Sequence, residues 1–302
     1  MNQNLNSMGT KTFTLSNGIL ELEIAALGAE LRSLRRVASP HEYIWQGDPA
    51  YWDRHNPILF PIVGKVWQNT AHIDGRDFTL AQHGFARDMV FEKVVDEDRH
   101  MAFVLHADDE SLERWPFRFR LRIDYTLLRN VITVGWTVSN LDSRPMPFQI
   151  GAHPGFMYPH FNADDAVHGY LSFDAESPLK STTIVPGGYG GDTTFDVPLP
   201  SDGLLPLTNS TFECDTIVDA TGRIRRVTLH DKNGRPIVTV RHSMPITALW
   251  SPANGRAPFM CIEPWHGCCD PEGFTGEFSR KPFVENVEPG ASWSTHYDII
   301  VE

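Results

Sequence analysis

Long apolar runs are missing from this 302-residue chain. No stretch approaches the roughly 20 consecutive apolar residues that cross a bilayer as a helix, so no membrane partner is expected. The first residues, Met1 to Thr10, are polar and lack the apolar segment of a secretory signal. They read as a flexible N-terminal extension, and the cytoplasm is the expected location. Positive charge is also in short supply: 26 Lys plus Arg face 38 Asp plus Glu, for a formal net charge of -12. Phosphate backbones call for a basic face, so a nucleic-acid partner is not expected, whereas a neutral small molecule is compatible.

Cysteine is sparse. Cys214, Cys261, Cys268 and Cys269 form no framework of evenly spaced pairs and read as reduced thiols. Cys268 and Cys269 with His266 match no paired C-x-x-C zinc pattern. Internal repeats and low-complexity tracts are absent. So are a Gly-x-Gly-x-x-Gly fingerprint, a phosphate-cradling loop and a Gly-x-Ser-x-Gly elbow, and nothing in the chain calls for a dinucleotide or a nucleophilic serine.

Helix signals are few as well. Asp108 to Arg114 is the one modest candidate, long enough for a turn or two. The rest alternates with the period of a half-buried strand. Leu20, Leu22 and Ile24 alternate with Glu21 and Glu23 just after the turn signal Ser16-Asn17-Gly18. Phe117, Phe119, Leu121, Ile123 and Tyr125 alternate with Arg118, Arg120, Arg122 and Asp124, Arg129-Asn130 turns the chain back, and Val131 to Asn140 returns. Ile224 to His230 pairs with Pro236 to His242 across Asp231-Lys232-Asn233-Gly234, and Trp293 to Val301 closes the chain. The Pro- and Gly-rich stretches Pro40 to Gly64 and Pro178 to Gly203 read as irregular loops, the first holding Trp45, Tyr51 and Trp52. Strands of similar character continue on both sides of them. The expected fold is all-β: one large antiparallel β-sandwich over residues 1–302, its concave sheet and rim loops forming a cleft.

Three short segments carry chemistry: Gln82-His83-Gly84-Phe85-Ala86-Arg87, Gly151-Ala152-His153-Pro154-Gly155-Phe156 and Cys261-Ile262-Glu263-Pro264-Trp265. Each sets a His or Glu among residues that fix the backbone or floor a pocket. Imidazole and carboxylate together suit proton transfer on one small substrate. Glu263 stands out, because a glutamate between the apolar Phe259 to Ile262 and Pro264-Trp265 is costly to bury without partners. His83 and His153 also fit structural corners, Asp215 fits a turn, and Trp67 and Trp265 fit core packing as readily as a sugar face.

Taken in order, Asn56-Pro57-Ile58-Leu59-Phe60-Pro61-Ile62-Val63-Gly64, the His83 segment, the His153 segment, Phe212-Glu213-Cys214-Asp215-Thr216 and the Glu263 segment resemble the aldose 1-epimerase (galactose mutarotase) family, in its LacX-like branch. The resemblance covers nearly the whole chain. It implies a β-supersandwich that interconverts the α and β anomers of a free aldose, with sugar phosphates left open, and that uses no cofactor and no metal. It also implies roles: Glu263 as general base, His153 as general acid, and His83, Arg87 and Asp215 as substrate-binding groups. Lys65 is a departure, since this branch usually carries Gly-Arg where the chain has Gly64-Lys65. A flexible point charge in place of a planar fork bears on substrate preference.

Anomer exchange needs only one base and one acid. A carboxylate at Glu263 takes the C1 hydroxyl proton, an imidazolium at His153 protonates the ring oxygen, and reclosure on the other carbonyl face reverses the roles. Three other functions fit parts of the pattern. A glycoside hydrolase or lyase would use Glu263 and Asp215 as its carboxylates and leave both histidine corners idle. A noncatalytic sugar-binding module needs no matched acid and base. A zinc site of His83, His153 and Glu263 lacks the short-range histidine spacing of most metal motifs.

Overall fold

In the segment Phe119–Leu128 the side chains at Phe119, Leu121, Ile123, Tyr125 and Leu127 are all buried, while Arg120, Thr126 and Leu128 are exposed. Such a stripe can be covered only from one side, which is what a sheet face supplies. Leu128 pairs with Val131, so the turn holds just Arg129 and Asn130, with Arg129 in the left-handed region at φ 55°. The return strand Val131–Asn140 pairs on its other edge with the C-terminal strand Ser292–Val301.

These strands are the middle of a nine-stranded antiparallel sheet. Its order is Leu205–Leu207, Gly169–Phe173, Arg226–His230, Pro236–His242, Ser292–Val301, Val131–Asn140, Phe119–Leu128, His100–His106 and Glu92–Glu97. A second large sheet runs Tyr189–Val197, Leu179–Val185, Ile217–Asp219, Ile246–Trp250, Phe259–His266, Ile150–Ala152 and Ile58–Leu59, and Gly155–Met157 also pairs with Phe259–His266. One contiguous apolar cluster joins the two, with Leu121 and Ile132 from the first sheet and Leu249, Met260 and Ile262 from the second. The chain is thus a large antiparallel β-sandwich. This computed structural model describes residues 11–175, 178–253 and 256–302, and the extension expected over Met1 to Thr10 lies outside the described residues.

The short helix expected near residue 108 is Asp109–Arg114. Asp108 caps it by accepting from the Ser111 N–H at 2.8 Å, and the Ser111 hydroxyl accepts from the Asp108 N–H at 2.8 Å. The loop expected over Pro178 to Gly203 is instead largely a hairpin, Leu179–Val185 against Tyr189–Val197. Pro186, Gly187 and Gly188 form its turn, with both glycines at positive φ. The β-branched run Thr182-Thr183-Ile184-Val185 favours a strand, and the neighbouring Pro-Gly cluster hides it by punctuating the tip rather than the whole stretch. Pro40 to Gly64 is mostly irregular, as its composition predicts, apart from Ile58–Leu59.

Candidate active site

The strand Phe259–His266 is buried on both faces through Trp265. Its period-two alternation sends Met260 and Ile262 into the sandwich core and Phe259, Cys261, Glu263 and Trp265 to the opposite face. Two short strands flank it: Gly151 pairs with Trp265, and Gly155 pairs with Cys261. His153, midway between the two glycines, therefore stands beside Glu263, midway between their partners. Gly151 permits this closeness, because a Cβ there would meet the Trp265 ring at 2.7 Å. The His153 Nε2 lies 3.3 Å from the Glu263 Oε2.

His83 reaches the same place from a tight corner. Its own φ is 66° and that of Gly84 is 71°, and a side chain on Gly84 would run into the Phe60 carbonyl. The His83 Nδ1 accepts from the Gly64 N–H at 3.0 Å. A neutral imidazole with an accepting Nδ1 carries its proton on Nε2, so His83 is set as a donor. Its ring meets that of His153 edge-on, centroids 5.6 Å apart.

These groups face a cavity of about 370 Å³. His83, Arg87, His153, Asp215 and Glu263 all line it, which brings five of the six expected site residues together. Lys65 is the exception. Its Nζ donates to the Gly187 carbonyl at 2.7 Å, on the hairpin that the sequence reads as loop, and the side chain is absent from the lining. Asp215 sits at φ 72°, its Oδ1 accepting from the Thr216 N–H at 2.7 Å. Trp67 packs against Tyr189 and does not line the cavity, whereas Trp265 does.

Several lining residues were not legible as site residues. Trp52 and Trp250 wall His153, ring centroids 4.7 and 5.4 Å away. Arg54 lines the cavity and is paired with Asp88 at 2.8 Å. The aromatic cluster Trp45, Tyr51 and Trp52 was the available signal for the first wall. Trp250 and Arg54 come from segments that carry no motif.

Burial dominates the electrostatics. It pushes the Glu263 carboxyl well above the usual carboxylate range; the nearby Trp265 N–H opposes this without reaching hydrogen-bond geometry, and Asp215 adds to it. Burial also lowers His153 to about 3, helped by the positive charges of Arg87 and Arg54. His83 is held well below its ordinary value by burial, then by His153 and the same arginines. Burial thus favours a protonated carboxyl beside a neutral imidazole over an ion pair across the 3.3 Å contact. Both Glu263 oxygens are buried without a hydrogen-bond partner. Among the described residues, the side chains able to hold a metal together are His153, Cys261 and Glu263. His83 does not join them, nor do Cys268, Cys269 and His266 form such a group.

The sequence profile of the aldose 1-epimerase family matches residues 11–299. The chain belongs to that family. The chromosomal LacX protein of Lactococcus lactis is 30% identical over 302 residues, covering 96% of this chain and 99% of its own length. Among solved structures, a galactose mutarotase-like protein from Lactobacillus casei superposes with a TM-score of 0.91 at 31% identity, covering 97% of this chain and 100% of its own. A galactose mutarotase related enzyme from Lactobacillus acidophilus gives 0.89 at 26% identity, covering 97% of each chain. Membership in the aldose 1-epimerase family supports an isomerase-type enzyme that acts on a small sugar. Among the described residues, no helix is long and apolar enough to cross a membrane.

Proposed function

We propose that this protein is an aldose 1-epimerase that interconverts the α and β anomers of a reducing sugar by ring opening and reclosure, with Glu263 as general base and His153 as general acid. The observation that carries this is the buried carboxyl–imidazole pair, 3.3 Å apart, at a cavity walled by indole rings. The pair holds one proton. Burial favours that proton on Glu263, whose two oxygens lack donors. Sugar hydroxyls supply donors, favour the carboxylate, and let the proton cross the short contact to His153. The carboxylate then takes the proton from the C1 hydroxyl, the C1–O5 bond breaks as the C1 carbonyl forms, and the imidazolium protonates O5. Rotation about C1–C2 and the reverse steps give the other anomer, each proton transfer contributing about 10²- to 10⁴-fold.

His83, as an Nε2–H donor, Arg87 and Asp215 hold the sugar. The Arg87 Nη2 donates to the Gln82 carbonyl at 2.7 Å, while its buried Nε has no hydrogen-bond partner. Burial and Arg54 lower Arg87 to about 10. Two guanidinium groups lining one cavity favour a negatively charged substituent, so aldose phosphates fall within the substrate class. The four free cysteines suit a reducing compartment, the cytoplasm.

The test is anomer exchange followed by polarimetry or NMR over a panel of hexoses, pentoses and their terminal phosphates. Acceleration of at least one sugar is expected. No rate above buffer for every sugar in the panel would sink the assignment. Faster exchange of the phosphates, lost in Arg54→Met, is expected for the anionic class, and equal rates for phosphate and parent sugar would restrict the class to neutral aldoses.

A further inference from the structure

Anomer exchange by Glu263 and His153 makes no use of Cys261, yet this thiol is fully buried directly behind them. It lies two residues before Glu263 on the same face of the strand Phe259–His266, and it pairs in register with Gly155, two residues after His153. One ligand atom from each of His153, Cys261 and Glu263 can be chosen so that all lie within 4.8 Å of one another. The Glu263 oxygens are buried without hydrogen-bond partners.

We propose that His153, Cys261 and Glu263 form a binding site for a zinc-class divalent ion, and that the ion switches the proposed anomer exchange off by occupying its acid and base. A thiolate, an imidazole and a carboxylate are the donor types that zinc selects, and three protein ligands with a fourth position open to the cavity is a common zinc arrangement. Bonds of about 2.0 to 2.3 Å in tetrahedral array put neighbouring ligand atoms about 3.3 to 3.8 Å apart, so a cluster whose atoms lie within 4.8 Å has to contract by up to about 1.5 Å. The His153–Glu263 edge, at 3.3 Å, already has that length. The Trp45 and Phe259 rings that pack around Cys261 keep water from its far side.

Charge and protons balance. Binding forms Zn–S, Zn–N and Zn–O bonds and breaks the S–H bond of Cys261 and the O–H bond of Glu263; both protons leave to solvent through the cavity. The thiolate and carboxylate together cancel the dication, so the buried assembly is neutral, which avoids the cost of an uncompensated charge. Once bound, His153 has no lone pair left to carry a proton, and the Glu263 carboxylate, its charge drawn to the ion, is a much weaker base.

The decisive experiment titrates the full-length, chelator-stripped protein with Co²⁺, a spectroscopic stand-in for zinc, and does not depend on catalytic activity. One equivalent is expected to bind, with the visible bands of a tetrahedral ion and a near-ultraviolet thiolate-to-cobalt band displaced by Zn²⁺. The thiolate band should vanish in Cys261→Ser and Cys261→Ala, and persist in Cys269→Ser. The serine variant keeps the size of the side chain, and its thermal melt checks that the fold survives. Absence of stoichiometric binding by the unaltered protein, a thiolate band that survives in a folded Cys261 variant, or one that disappears in Cys269→Ser would each overturn the site. In the exchange assay, Zn²⁺ should inhibit the unaltered protein, and Cys261→Ser should raise the half-inhibiting concentration by about 10-fold or more. Equal inhibition of both would overturn the inhibitory role. A protein that binds cobalt as expected but exchanges no sugar would keep the metal site and discard the epimerase.

Discussion

The Nε2 of His153 stands 3.3 Å from the Oε2 of Glu263, and burial moves the two groups in opposite directions, the carboxyl up and the imidazole down to about 3. Burial therefore disfavours, in each group, the protonation state its proposed role uses. In the proposed mechanism the pair carries the right number of protons, and a shift across the 3.3 Å contact converts the resting form into the working one. Four expectations follow from this geometry and its surroundings.

Glu263→Gln and His153→Asn should each lower kcat by about 10²-fold or more while sugar affinity stays within several-fold, because each removes a group acting mainly in the transition state. His83→Asn should mainly raise KM, since its Nε2–H is set as a binding donor. Steady-state kinetics with circular dichroism on each variant are the check. A folded Glu263→Gln with near-normal turnover would remove the proposed base.

The acid limb of kcat/KM should lie far below that of an ordinary carboxylate base. The inactive, doubly protonated pair is expected only as the pH falls through the value of about 3 for His153, because burial favours the first proton on Glu263. Activity should therefore hold through the ordinary carboxylate range near about 4.3 and fall only toward about 3. Brief pH-jump assays, confined to conditions where circular dichroism reports folded protein, would measure this. A limb centred near about 4 to 5 would mean that the pair titrates as two ordinary groups.

Gly151→Ala should cost about 1–3 kcal/mol of stability, the usual range for overpacking a well-filled core. Its Cβ meets the Trp265 ring at 2.7 Å and the Leu59 side chain at 3.3 Å, and both belong to a buried cluster with little room to yield. Because Trp265 also lines the cavity, KM should rise in the same variant. Urea titration and kinetics together test it, and unchanged stability would show that the ring moves aside freely.

Lys65→Met should leave kcat/KM for neutral aldoses within about threefold, whereas Arg87→Met should raise KM by about 10-fold. The contrast follows from position: the Lys65 Nζ is bound to the Gly187 carbonyl outside the lining, and Arg87 faces the cavity. Kinetics on a panel of sugars decides the matter. A marked reordering of sugar preference in Lys65→Met would mean that the hairpin releases the side chain to the substrate.

Local pattern was enough for much of the nine-stranded sheet. Alternation over Phe119 to Leu127, the Arg129-Asn130 turn and the Asp231 to Gly234 turn are visible in the residues, because strand periodicity and turn chemistry act over a few neighbours. The ordered motifs likewise pointed to His83, Arg87, His153, Asp215 and Glu263, each set in its own constrained corner. The rest was decided between segments far apart in the chain. Register across Gly151–Trp265 and Gly155–Cys261 sets His153 against Glu263, and no single segment contains that distance. Arg54, Trp52 and Trp250 became walls of the cavity only on assembly, and the hairpin Leu179–Val185/Tyr189–Val197 drew Lys65 away from it. Protonation, too, belongs to the tertiary structure. A residue type sets the reference affinity for a proton, but the loss of water around Glu263 and His153 exists only in the folded chain, and it outweighs every other influence on both.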